Sequence, residues 1–274
     1  MSDTLFVWHM AYVYYAILGC VAGTIAGLLG VGGGIVVVPA LVAIFAWQAV
    51  PHDYLMQMAI GTSLATIVVT SFSSVWAHHK RGAIYWDFFK RIVPGVVLGT
   101  VLGSSINDEL STRSSQIMFG IFMFASAAQM LFEGKNRAAK VVNTEQTSLI
   151  QMGIVGIAIG TVSSLLGIAG GSLMVPYLKY VGLPIRNAVA TSAATGFPLA
   201  MVGAFSFILT GLDERNLPPL STGYVYWPAF LFIAVPSALC APLGAKLAHS
   251  LPTAQLKLLF AFFLMLVGLN MLWG

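Results

Sequence analysis

GTIAGLLGVGGGIVVVPAL, residues 23–41, returns as GTVSSLLGIAGGSLMVPYL, residues 160–178. Ten of the nineteen aligned positions are identical, glycines and proline included. The correspondence runs outward from there. Thr62, Ser63 and Thr66 match Thr191, Ser192 and Thr195. Tyr85–Trp86 matches Tyr226–Trp227, and QMLF at 129–132 faces NMLW at 270–273. Chance apolar similarity does not keep Gly, Pro and Thr-Ser punctuation in order. The chain therefore reads as two related halves of about five segments each, 1–132 and 149–274, joined by a linker at 133–148.

Composition says where those halves reside. The chain has 274 residues, 58% hydrophobic and 8% charged, with mean hydropathy +0.88. Soluble domains carry roughly 25% charged residues. A soluble core of this length cannot hide so much apolar surface, whereas lipid can. A bilayer-crossing helix needs about 20 apolar residues. Ten candidate segments meet or approach that length: 7–29, 33–47, 55–77, 86–106, 115–132, 149–167, 171–182, 187–210, 224–247 and 254–273. The second and seventh are short, begin at a glycine cluster and contain a proline. No Lys or Arg precedes Lys80, so the basic n-region of a signal peptide is missing and the first segment is expected to stay as a membrane helix.

Charge placement sets the expected orientation. With ten crossings and the N-terminus outside, eleven of the thirteen basic residues fall on the cytoplasmic side; only Arg113 and Arg215 fall outside. Lys/Arg enrichment in cytoplasmic loops is the usual bias. Five crossings per half turn the second half over, giving the inverted-repeat architecture of many transporters. An alternative with eight crossings makes 33–47 and 171–182 re-entrant and moves a basic loop outside. The net charge of +4 marks no nucleic-acid surface, because the basic residues form no aromatic-interleaved patch. Cys20 and Cys240 sit in apolar stretches without ligand spacing and read as packing residues.

Three constellations could carry chemistry. Gly30, Gly32, Gly33 and Gly34, with Gly167, Gly170 and Gly171, predict a broken helix in each half, accompanied by Pro39 and Pro176. Opened backbone at membrane depth is tolerated only inside protein or a cavity, and the following helix start can hold an anion. Tight packing through small residues is the competing reading. Thr62, Ser63, Thr66 and Thr191, Ser192, Thr195 could donate hydroxyls to an oxyanion, or bond their own helix carbonyls. His78, His79, Lys80 and Arg81 could gather an anion at the inner mouth, or simply anchor topology.

Some chemistry is not visible. No predicted span has a clear mid-membrane Asp, Glu, Lys or Arg, the usual mark of a proton relay. Asp87 and Arg91 lie near a span end, and the in-span polar residues are Gln57, Gln129, Gln151 and Asn270. There is no HExxH pair and no GxSxG elbow, so no enzyme, cofactor or metal is expected.

These motifs resemble the sulfite exporter TauE/SafE family of membrane transporters. The matching features are GLLGVGGGIVVVPAL (27–41), SLLGIAGGSLMVPYL, the steps AIGTSLAT and AVATSAAT, and the stretch from His78 through IYWDFFKRIVPGVVLGTVLGS. The resemblance covers nearly the whole chain. It implies an all-α polytopic transporter of the bacterial inner membrane for small sulfur-containing anions: sulfite, sulfonates such as sulfoacetate, and related compounds. One departure is the second cluster, Gly167-Ile168-Ala169-Gly170-Gly171, which has one glycine fewer than the first. The expectation is an alternating-access exporter, with an importer, a carrier of thiosulfate or carboxylates, and a channel-like pore as rivals. The expected partners are the anion and membrane lipid, with a homodimer allowed.

Overall fold

The computed structural model describes the backbone of residues 2–29, 33–132, 148–250 and 253–273. Side chains are described for 10–26, 33–131, 148–243 and 258–273. Gly30, Gly32 and residues 133–147 of the linker lie outside the described residues.

Ten α-helices stand where the ten apolar segments were expected. They are α1 (Ser2–Leu29), α2 (Gly34–Trp47), α3 (Leu55–Lys80), α4 (Trp86–Glu109), α5 (Thr112–Phe132), α6 (Leu149–Leu166), α7 (Gly171–Tyr180), α8 (Ile185–Thr210), α9 (Trp227–Ser250) and α10 (Thr253–Trp273). Among the described residues, five helices are long and apolar enough to cross a bilayer by themselves. At about 1.5 Å per residue, fourteen-residue α2 is roughly 21 Å long and ten-residue α7 roughly 15 Å. Neither alone matches a hydrocarbon core of about 30 Å.

Local signals agree with the ends. Asp87 lies in the first turn of α4 and His78, His79 and Lys80 in the last turn of α3, each sign favoured at that pole of the helix dipole. Ser148 caps α6, its hydroxyl accepting the Ile150 N–H at 3.3 Å. The ninth helix starts at Trp227 rather than at the predicted 224. The preceding residues form a two-stranded hairpin, β1 (Ser221–Thr222) and β2 (Val225–Tyr226), turned through Gly223 at φ +53°. Tyr224, Val225 and Tyr226 are buried.

The helix pairing respects the repeat. α3 packs on α8 and α5 on α10; α1 packs on α9 and α6 on α4; α2 packs on α3 and α7 on α8; α3 packs on α9 and α8 on α4. Exchanging helices 1–5 with 6–10 returns the same set. Apart from α2·α3 and α7·α8, each of these pairs joins one half to the other.

Equivalent glycines make the equivalent contacts. A methyl group on Gly19 would come within 2.6 Å of the Ile233 carbonyl oxygen, and one on Gly156 within 2.7 Å of that of Ile92. One turn on, Gly23 meets the Ser237 carbonyl and Gly160 the Val96 carbonyl even more closely. In both pairs the contact residues ascend together, so α1 runs parallel to α9 and α6 to α4. Small residues of this kind let membrane helices touch backbone to backbone.

Overpacking such a contact costs about 1–3 kcal/mol. Gly156→Ala and Gly160→Ala are expected to lower the unfolding midpoint of detergent-purified protein. Gly153→Ala, on the same helix but with open space around the added carbon, should leave it unchanged or raise it slightly.

Candidate functional site

The central pair α3 and α8 carries both Thr-Ser steps. They run antiparallel: Gly61 of α3 faces Phe207 of α8, and Gly203 of α8 faces Leu64 of α3. Thr62, Ser63, Thr66, Thr191, Ser192 and Thr195 are all at most 3% exposed. Thr62 lies near the start of α3 and Thr191 near the start of α8, hence at opposite ends of the pair.

The hydroxyls divide by role. Thr66 Oγ1 donates to the Thr62 carbonyl and Thr195 Oγ1 to the Ser192 carbonyl, each at 2.9 Å. These two satisfy their own helices rather than face a ligand. Thr62 Oγ1 accepts the Tyr226 N–H at 3.1 Å, and Thr191 Oγ1 accepts the Tyr85 N–H at 3.0 Å. Tyr85 and Tyr226 are the matched residues that lead into α4 and α9. The two threonines are thus equivalent latches, one at each end, each fixing the helix start of the opposite half. The Ser63 hydroxyl donates to the Gly167 carbonyl at 2.9 Å, whereas the buried Ser192 Oγ has no partner among the described residues.

The glycine breaks meet. A methyl group on Gly34 would come within 2.5 Å of the Gly167 carbonyl oxygen and 3.0 Å of Ile168 Cα. The second break is fully described: α6 ends at Gly167 with φ +66°, and α7 is entered through Gly170 with φ +71°. Both angles fall in the left-handed region that glycine alone adopts without strain. Gly171 opens α7 and Gly34 opens α2, after Gly33 at φ −72°. Pro39 and Pro176 are not at the breaks. Each lies inside its helix, and in the second half the left-handed glycines Gly167 and Gly170 interrupt the backbone before Pro176 is reached.

His78, His79, Lys80 and Arg81 end α3 as an exposed group with His78 half-buried. Lys80 Nζ sits 4.9 Å from the Trp76 ring centroid and His79 stands edge-on to Trp86. Arg186 at the start of α8 joins this end beside His78. The opposite end carries acids, a grouping the sequence motifs did not single out. Tyr54 donates to Glu214 Oε2 at 2.6 Å, and Tyr224 is hydrogen-bonded to Asp108. Burial, with Asp108 beside it, pushes the Tyr224 hydroxyl above its ordinary range, so it remains a donor. The available signal was the pair of acidic runs NDEL and LDER, set around the latch at Tyr226.

Two surface clefts, of about 450 and 530 Å³, lie at this acidic end. One is lined by residues 48–51 and 216–218, the other by Tyr12, Leu220, Ser221, Thr222 and the start of α9. Neither includes the Thr-Ser steps or the glycine breaks.

The model of the family described as sulfite exporter TauE/SafE matches residues 15–271. The chain belongs to the sulfite exporter TauE/SafE family. A probable membrane transporter protein of Haemophilus influenzae is 38% identical over 255 residues, covering 93% of this chain and 96% of that one. A probable membrane transporter protein of Bacillus subtilis is 30% identical over 280 residues, covering 96% and 98%. No solved structure matches significantly. This TauE/SafE chain is therefore an integral membrane transporter rather than an enzyme.

Removing a latch hydroxyl leaves its partner N–H unpaired, buried at Tyr226 and part-buried at Tyr85, at a cost of about 1–3 kcal/mol. Thr62→Val and Thr191→Val should each destabilise the protein by that amount in detergent unfolding. The double variant should lose the sum, since distant sites add. Thr66→Val, which frees only a carbonyl already within the helix, should cost less than either.

Proposed function

We propose that the protein exports small sulfur-containing anions, sulfite or an organosulfonate such as sulfoacetate, by alternating access across the bacterial inner membrane. The observation that carries this reading is the meeting of the two breaks, Gly34 against Gly167, at the join between halves. Repeat interfaces with discontinuous helices are where transporter sites occur. Membership of the TauE/SafE family supports the anion class.

The orientation follows from charge. The His78–Arg81 end, with Arg186, is the cytoplasmic mouth, and the N-terminus is periplasmic. Ten crossings of this kind put α1 and α9 in one direction and α4 and α6 in the other. The antiparallel run of α3 against α8, its counterpart in the second half, supports that inverted arrangement, because counterparts in an uninverted repeat would run the same way. Basic residues draw the anion to the inner mouth. With the cytoplasm negative, each exported negative charge gains about 2.3 kcal/mol per 100 mV, roughly a fifty-fold gradient. Export then needs no proton relay. The latch at Thr191 closes the inner end and the latch at Thr62 the outer end; opening one while the other holds is the alternating step. A homodimer in the membrane is compatible with this scheme.

Purified protein in liposomes is expected to move labelled sulfite or sulfoacetate with saturable, counterflow-capable kinetics. The flux should accelerate when the compartment corresponding to the cytoplasm is made negative. Absence of flux for both anions would overturn the reading. Non-saturating flux without counterflow would replace the carrier by a pore.

A further inference from the structure

We infer that the anion is held at one break only, the second, in a nest formed by the N–H groups of residues 169–172 and the hydroxyls of Ser163 and Ser172. This inference rests on the oxyanion reading above and specifies its site. Three observations lead to it.

The first is the backbone. Around Gly170, the N–H groups of Leu173 and Met174 turn back onto the Gly170 carbonyl, and those of Gly167 and Ile168 onto the carbonyls of Ser164 and Ser163. The N–H groups of Ala169, Gly170, Gly171 and Ser172 are bonded to no other protein group among the described residues, and no side chain caps α7. Gly170 is left-handed and Gly171 begins a right-handed helix. Successive residues of opposite hand turn their N–H groups into one concavity that suits an anion, and the dipole of α7 adds positive potential there.

The second is a set of hydroxyls without partners. Ser163 is fully buried, its Oγ has no hydrogen-bond partner, and it lies 3.2 Å from where a Cβ on Gly170 would be. It therefore points at the entry of α7. The Oγ atoms of Ser164 and Ser172 are likewise buried and unpartnered. Unpaired buried donors are costly, and an oxyanion supplies the acceptors they lack. Leu199 and Ile159 flank Ser163 on that side, and Gly196 of α8 lies close against the Ala169 carbonyl.

The third is the asymmetry of the repeat. The residues of the first half equivalent to Ser163, Ser164 and Ser172 are Ala26, Gly27 and Ile35. Its entry glycine, Gly33, is right-handed where Gly170 is left-handed. The first break thus lacks the three hydroxyls and, at Gly33, the left-handed entry, and Gly34 serves as the wall against Gly167. The ligand class is a compact oxyanion with a three-oxygen face, sulfite or the head of a sulfonate.

Titration of detergent-purified protein with sulfite and with methanesulfonate, by calorimetry, separates the possibilities. Ser163→Ala and Ser172→Ala are each expected to weaken binding about tenfold or more, as loss of one hydrogen bond to a charged group does. Their unfolding midpoints without ligand should not fall. Ser172→Ala stands in if Ser163→Ala misfolds, because its side chain is only half-buried. Wild-type binding that both variants retain would overturn this site and leave the exporter reading intact. Absence of wild-type binding together with absence of flux would overturn both.

Discussion

Backbone-to-backbone contact between helices of opposite halves is the constraint on which the structure depends. α1 can lie along α9 only because Gly19 and Gly23 present no side chain to the carbonyls of Ile233 and Ser237. Gly156 and Gly160 do the same for α6 on α4. In lipid there is no hydrophobic gain from helix association, so close packing of small residues carries much of the assembly. Both contacts cross from one half of the sequence to the other. Neither half, as a consequence, buries its own small-residue face, and the central pair α3·α8 is clasped from both sides.

That clasp explains the placement of the chemistry. The two breaks belong to the hairpins α1–α2 and α6–α7, whose outer helices are fixed by the glycine contacts. Their openings are brought against α3 and α8, where the Thr-Ser steps lie. Matching latches at Thr62 and Thr191 tie each end, but they are reinforced unequally. At the acidic end, Tyr226 is also hydrogen-bonded to Tyr12 and packs against Tyr15 and Phe45. At the basic end, Asn187 adds a bond to the Ala83 carbonyl at 2.9 Å, while Tyr85 is exposed. The acidic end is the more deeply closed of the two.

Much of the fold was legible because the signals are local. Apolar length, glycine clusters and charge runs fall within one segment each, and helix ends such as 55, 86, 149 and 210 follow from them. The hairpin at 221–226 was not legible, since two-residue strands leave no period to read. The Thr-Ser steps were visible as a motif, but not their use. Thr62 takes its partner from 164 residues away, and nothing within its own helix distinguishes it from Thr66, which bonds four residues back. Ser163 and Ser164 stood inside the opening motif, as two of the nine positions where the second copy departs from the first. Their meaning required knowing that their hydroxyls end up buried without partners.

The interleaving of the halves can be read from the protein's own two cysteines. The Cys240 thiol on α9 faces that of Cys20 on α1. A protease site placed in the 133–147 linker, followed by mild oxidation and cleavage, links or separates the halves on a non-reducing gel. The account predicts one full-length band that splits into two fragments on reduction. Two fragments without reduction would contradict it.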